Sequence, residues 1–277
     1  YYHTGHAGVS MKVVLFCGGL GTRLREHSDT IPKPLAGVGY RPILWHLMRY
    51  YAYFGHTEFI LCLGYRGDQI REYFLDYNEA MTNDFTLRTG ERHVELHERD
   101  LDNWKITFVD TGLHSNIGQR LLRVRKYLQG DEVFLANYAD GLSDLPLDQH
   151  IAQFVAQKRL VASFAAVPSS QSFHAVHADE AGIVTRMGAM PEQQLLINGG
   201  FFVLRSEIFE HVREGEELVE APFARLIEQR RVSAFRWHGF WQCMDTFKDK
   251  ISFDRMDARG ECPWMLWRRH PATSPTK

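Results

Sequence analysis

The chain has 277 residues, 44% of them hydrophobic, 24% charged and 13% aromatic, with a formal net charge of -2. That length and composition suit one elaborated α/β domain, and the balanced charge offers neither a nucleic acid nor a membrane surface any bulk attraction. No apolar run approaches a membrane span, and Cys17, Cys62, Cys243 and Cys262 lack metal-site spacing, so they read as reduced thiols of a cytoplasmic protein.

Residues 1–10 are polar and aromatic, without the apolar stretch of a signal peptide. They read as an extension ahead of Met11. From there the chain alternates apolar runs and helical spacing. Lys12 to Cys17 reads as a buried parallel strand, Ile43 to Phe54 as a helix stopped by Gly55, and Glu58 to Leu63 as the next strand. Gly67 to Tyr77 follows as a helix. Between Met81 and Asp102 the rhythm breaks into polar residues with partial alternation, which predicts a hairpin-like insertion.

The alternation then resumes. Trp104 to Asp110, Glu132 to Ala136 and Val161 to Val167 read as strands, while Leu121 to Leu128, Leu147 to Gln157 and Pro222 to Gln229 read as helices. His174 to Val203 carries short strands and turns. This rhythm predicts a Rossmann-like three-layer α/β/α sandwich, with a mixed, mostly parallel sheet and a small β-rich insertion, over residues 11–269. Residues 270–277 are expected to form a flexible tail.

The sharpest chemical signal is Gly18-Gly19-Leu20-Gly21-Thr22-Arg23-Leu24, followed by Pro32-Lys33-Pro34. It stands after the first strand, where open α/β sheets bind ligands. Glycines let the backbone N–H groups approach a polyphosphate, Arg23 offers a planar fork of donors, and Lys33 a compact charge. The spacing matches neither G-x-G-x-x-G nor G-K-[ST], which argues against a dinucleotide site and a P-loop.

With these residues the chain resembles the sugar-phosphate nucleotidyltransferases. Within them it is most similar to the glucose-1-phosphate cytidylyltransferase sub-family. The likeness continues through Pro42 to His46, Val109 to Gly112, Asp140-Gly141, Ile197 to Phe202 and Gly239 to Thr246. The resemblance implies transfer of a nucleotidyl group, CMP from CTP by preference, to a sugar 1-phosphate, with release of pyrophosphate. It implies Mg²⁺ as cofactor, held by Asp140 and Asp245, and Arg23, Lys33 and Asp140 as catalytic residues. Gly18 to Arg23, Lys33, Arg120 and Asp140 would meet the nucleotide. Asp110, Asn198 and Gly199 would line the acceptor side, joined by His174 and Met190. Partners would be the nucleoside triphosphate, the sugar 1-phosphate and further copies of the chain.

Several positions depart from the sub-family. Met190 stands where a phosphate-binding lysine is expected, and a thioether cannot replace a cation there. His174 replaces a glycine, as do Gln119 and Ala139, the last at a place where a ligand would pass close. Leu122 replaces a lysine and Ala221 a glutamate. These changes leave open a different sugar 1-phosphate, UTP or dTTP in place of CTP, or a homologue that binds nucleotide without turnover. The aromatic group Phe235, Trp237, Phe240 and Trp241 reads as core or as an oligomer contact.

Overall fold

The architecture comes from a computed structural model. It describes residues 10–19, 31–97, 99, 103–169, 174–189 (backbone only at 174–178 and 186–189) and 195–268. The central sheet is built from β1 (Lys12–Phe16), β2 (Glu58–Leu63), β3 (Lys105–Asp110), β4 (Val133–Tyr138), β5 (Ala162–Pro168), β6 (Leu196–Asn198), β7 (Phe202–Arg205) and β8 (Val232–Arg236). β1 pairs in parallel with β2 on one side and β4 on the other, and β3 lies beyond β2. Beyond β4 the sheet continues through β7 to β5 by antiparallel pairings, and β8 pairs in parallel with β5. β6 lies antiparallel on the same edge of β5 as β7, so the two form one strand broken at Gly199–Phe201. The sheet is mixed and mostly parallel, as the β-α-β rhythm predicts.

The strands are apolar on both faces because helices cover both. Along β1, Val13 and Leu15 face one core, whereas Val14 and Phe16 face the other. The first core takes α1 (Ile43–Tyr53), α2 (Gly67–Leu75), α4 (Leu147–Val155) and α6 (Phe247–Ala258). The second takes α3 (Ile117–Val124) and α5 (Ala221–Glu228). Each fully buried Leu, Ile or Phe contributes roughly 1.5–3 kcal/mol relative to exposure, so these two layers dominate the stability of the sandwich.

The expected insertion is a two-stranded hairpin, Phe85–Arg88 against His93–Leu96, with almost every side chain in solvent. A second ribbon pairs His174–Ala178 with Val184–Ala189. α3 begins four residues earlier than the helical spacing suggests. Asn116 caps it by accepting from Gln119 N, and Gln119 returns a bond to Asn116 N. Gln119, which replaces a glycine of the sub-family, is thus a capping residue. Leu122 packs against the second core and Ala221 opens α5.

One hydrogen bond ties the C-terminal segment to α1, and a second ties α1 to the short strand at Val38 before it. Trp264 is fully buried in the first core and donates from Nε1 to His46 Nδ1 at 3.3 Å, and His46 Nε2 contacts Val38 O at 3.0 Å. The aromatic group resolves the same way, because Phe235, Trp237, Phe240 and Trp241 all pack against the first core. Among the described residues no helix is long and apolar enough to cross a membrane.

Candidate active site

The strand order places the site. β2 and β4 leave β1 on opposite sides, so the carboxyl end of β1 is a topological switch point, where α/β sheets open a crevice for ligands. The backbone leaves β1 into Cys17, Gly18 and Gly19 there. Leu20, Gly21, Thr22 and Arg23 lie outside the described residues, as does Met190. The backbone of His174 opens its ribbon at the register opposite Ala189.

Gly18 is required by packing. A Cβ on it would lie 2.1 Å from Arg120 Nη1, and one on Gly64, after β2, would lie 2.9 Å from the same atom. Arg120 is therefore the floor of the glycine turn. It is 1% exposed, and its Nη1 donates to Thr111 Oγ1 at 2.7 Å and to Leu63 O at 3.1 Å. Burial lowers its pKa, partly offset by Cys62 and Cys17. A guanidinium bonded to a hydroxyl and carbonyls keeps an uncancelled positive charge directly below the turn.

The second half of the site is a three-residue junction. Lys33 stands in a short 3-10 turn between Pro32 and the buried Pro34. Its Nζ lies 2.6 Å from Asp140 Oδ2 and 2.6 Å from Asp245 Oδ1. Asp140 follows β4. Asp245 reaches it because Gly141–Ser143 pairs antiparallel with Trp241–Cys243, and Met244 N closes the ladder on Asp140 O at 2.8 Å. Thr246 then caps α6 with Asp249 in a reciprocal box, which fixes the direction in which the chain leaves Asp245.

Burial alone would lower the pKa of the Lys33 ammonium. Asp140, through its charge and hydrogen bond, and then Asp245 outweigh that, so the net shift is upward and the charge is kept. Cys243, two residues before Asp245, donates from Sγ to Asp245 Oδ2 at 3.1 Å. Reading the cysteines only for disulfide or metal spacing misses this role; its place in the strand leading to Asp245 is the signal.

Asn198 ends β6, and Gly199 opens the break between β6 and β7. Asn198 Nδ2 donates to Tyr138 OH at 3.3 Å, and Trp241 Nε1 donates to Gly199 O at 2.8 Å. Tyr138, mostly by burial, has its phenol pKa pushed up to about 12. Phe201 takes a left-handed φ of 49° and is held by Asn137 Oδ1, which accepts from Phe201 N at 2.9 Å. Asn198 and Gly199 thus stand beside the end of β4, two residues before Asp140.

Asp110 does not join them. It ends β3, three strands from β4 and so about 14 Å away across the sheet, and accepts from Gly112 N at 2.9 Å in its own turn. The methyl of Ala139, expected beside a ligand, is 2% exposed and belongs to the first core instead. Alternating side chains on β4 and its extension turn Ala139 inward and Asp140 outward.

Residues 12–246 match the nucleotidyl transferase family. This chain belongs to that family. The glucose-1-phosphate cytidylyltransferases of Salmonella typhi and Salmonella typhimurium are each 38% identical to it over 259 residues, 93% of this chain and 100% of theirs. Among solved structures, a UDP-glucose pyrophosphorylase from Acinetobacter baumannii superposes with a TM-score of 0.66 at 17% identity, covering 94% of this chain and 98% of that one. That likeness is one of fold. The chain is a nucleotidyltransferase. At its junction two hard carboxylates, the donor type that suits a divalent cation, converge on one point already filled by a cationic group, the Lys33 ammonium. Such ions are commonly held by one or two carboxylates, with substrate phosphates and water completing the sphere.

Proposed function

We propose that the chain joins CTP to glucose 1-phosphate, giving CDP-glucose and pyrophosphate, with Mg²⁺ held by Asp140 and Asp245. The observation that supports this most directly is the convergence of Lys33, Asp140 and Asp245 at the carboxyl end of the central strands, beside the glycine turn. The nucleobase and sugar follow the 38% identical relatives.

In this reading a phosphate oxygen of the sugar 1-phosphate attacks the α-phosphorus of the triphosphate in line with the departing pyrophosphate. The new P–O bond forms as the bond to pyrophosphate breaks, so the charges that need support lie on the α-phosphate and the leaving group. Bound Mg²⁺ supplies neutralisation of the α-phosphate. Lys33 and Arg23 hold the leaving pyrophosphate, while Gly18, Gly19, Leu20, Gly21 and Thr22 cradle phosphate oxygens through the backbone. Arg120, under Gly18, adds a fixed positive field from below. Asn198 and Gly199, steadied by Tyr138 and Trp241, orient the acceptor. His174 and Met190 are further acceptor-side candidates, whereas Asp110, three strands from β4, is not. The protein works in the cytoplasm as a homo-oligomer, which light scattering tests.

The deciding experiment is pyrophosphate release with Mg²⁺, across CTP, UTP, dTTP, ATP and GTP against several sugar 1-phosphates. Turnover with CTP and glucose 1-phosphate alone supports the proposal. Turnover only with another sugar makes Met190 and His174 the residues to exchange next. No pyrophosphate from any pair, with CTP still bound, overturns catalysis.

A further inference from the structure

The position of Lys33 carries a consequence for how the site is loaded. Its Nζ lies 2.6 Å from one oxygen of each aspartate, so the ammonium sits at the point where the two carboxylates converge. A Mg²⁺ ion bound by both would need that same point, at ~2.0–2.1 Å from each oxygen. The side chain of Lys33 is 16% exposed, against 27% for Asp140 and 37% for Asp245, so the lysine is the least hydrated of the three. Its charge is therefore poorly screened by water. An ammonium and a dication cannot share this point, and the ammonium cannot back away along the main chain. Pro32 and Pro34 fix the backbone on either side, and Pro34 is buried. Only the lysine side chain can turn, and it needs another anion to turn toward.

We propose that Lys33 is the resident cation of the Asp140–Asp245 pair in the nucleotide-free protein, and that a divalent ion enters only when a nucleoside triphosphate draws Lys33 away. This rests on the reading of that pair as the cation site. The triphosphate is the anion that supplies the exchange: its oxygens accept the ammonium and at the same time offer the incoming ion further ligands. Cation and nucleotide then bind as one linked event. Each raises the affinity for the other by the same factor, because the coupling is a single free energy. The salt bridge also keeps two like-charged carboxylates converged while the site waits. Loading therefore begins from a preformed pair.

Mn²⁺ binding to the nucleotide-free protein, followed by calorimetry and by the electron paramagnetic resonance of the free ion, tests this. Lys33→Met should bind Mn²⁺ about ten-fold or more tightly than the wild type, within the usual range of coupling between sites. The gain should vanish in Lys33→Met/Asp140→Asn. Equal affinity in wild type and Lys33→Met overturns the proposal. A second variant, Asp140→Asn set against the wild type, gives a measurement that does not depend on Lys33→Met folding. If Asp140→Asn leaves nucleotide-free Mn²⁺ binding unchanged, the pair is closed as proposed; if it abolishes tight binding, the pair is open and Lys33 is no latch. Failure of the underlying reading looks different: Asp140→Asn and Asp245→Asn would then leave cation-dependent turnover intact.

Discussion

The guanidinium of Arg120 fills the volume that a side chain on Gly18 would need, with Nη1 2.1 Å from the position of a Cβ there. The first glycine of the turn is thus tied to a residue of α3, more than a hundred positions away. Gly18→Ala should push Arg120 off Thr111 and Leu63, costing ~1–3 kcal/mol as overpacking does. Both the melting temperature and kcat/KM should fall. Adding Arg120→Met should restore part of the melting temperature, since the clash is with that side chain. No recovery would place the fault in the backbone.

Asp140→Asn and Asp245→Asn should each lower kcat about 10²-fold or more, the usual scale for a group that supports charge at the reacting phosphate. Chelation of divalent ions should do the same to the wild type. Circular dichroism should show both variants folded, because each leaves Lys33 one carboxylate partner. Steady-state rates across a Mg²⁺ titration check this, and activity within two-fold of wild type at every concentration would contradict it.

Stability should fall in mild acid. Burial lowers the pKa of His56 and of His150 to about 4, against an ordinary value of 6.5. Between those values the unfolded chain binds more protons than the folded one, so the stabilising preference for neutral imidazoles is full above pH 6.5 and is lost as pH falls toward 4. Each histidine contributes on the order of 3 kcal/mol across that window. Melting temperatures measured from pH 7.5 to 4.5 should drop steadily below 6.5. His150→Gln should flatten the curve even if its own stability at pH 7.5 is lower. A profile flat down to pH 4.5 would rule this out.

Trp264→Ala should cost about 3–5 kcal/mol, as large aromatic deletions in a core do. Its ring is fully buried, and its N–H is a partner of His46. Denaturant unfolding should show a lower midpoint. An unchanged midpoint would mean that the C-terminal segment docks without contributing.

Much of the fold was legible because parallel strands covered on both faces are short apolar runs, and Lys12–Phe16 and Glu58–Leu63 read that way directly. The helical spacing places α3 too late because its first turn, Ile117 to Arg120, holds a glycine and two polar residues, although Asn116 and Gln119 spell a cap. α6 escapes the sequence pattern for a physical reason. It buries Phe253 alone, so it has little apolar stripe to find; Thr246 and Asp249 were its signature. The glycine turn can be picked out by local chemistry, whereas Asp140 and Asp245 stand out only through the family resemblance. The contact of Lys33 with both aspartates shows in neither, because it depends on a strand pairing distant in the chain. Nor does the burial of Arg120, which the resemblance assigns to direct contact with the nucleotide but which lies 1% exposed beneath the turn.

Lys33 meets Asp140 across 107 positions and Asp245 across 212. Closing loops of that size costs entropy that only long-range packing returns, so contacts between distant segments tend to form late in folding. Most of the sheet and its helices can therefore assemble before the junction exists. In a refolding experiment, helical signal should return first and turnover last. Loosening any one of the three segments, by a nick or by heat, should silence the enzyme while most of the sandwich still stands.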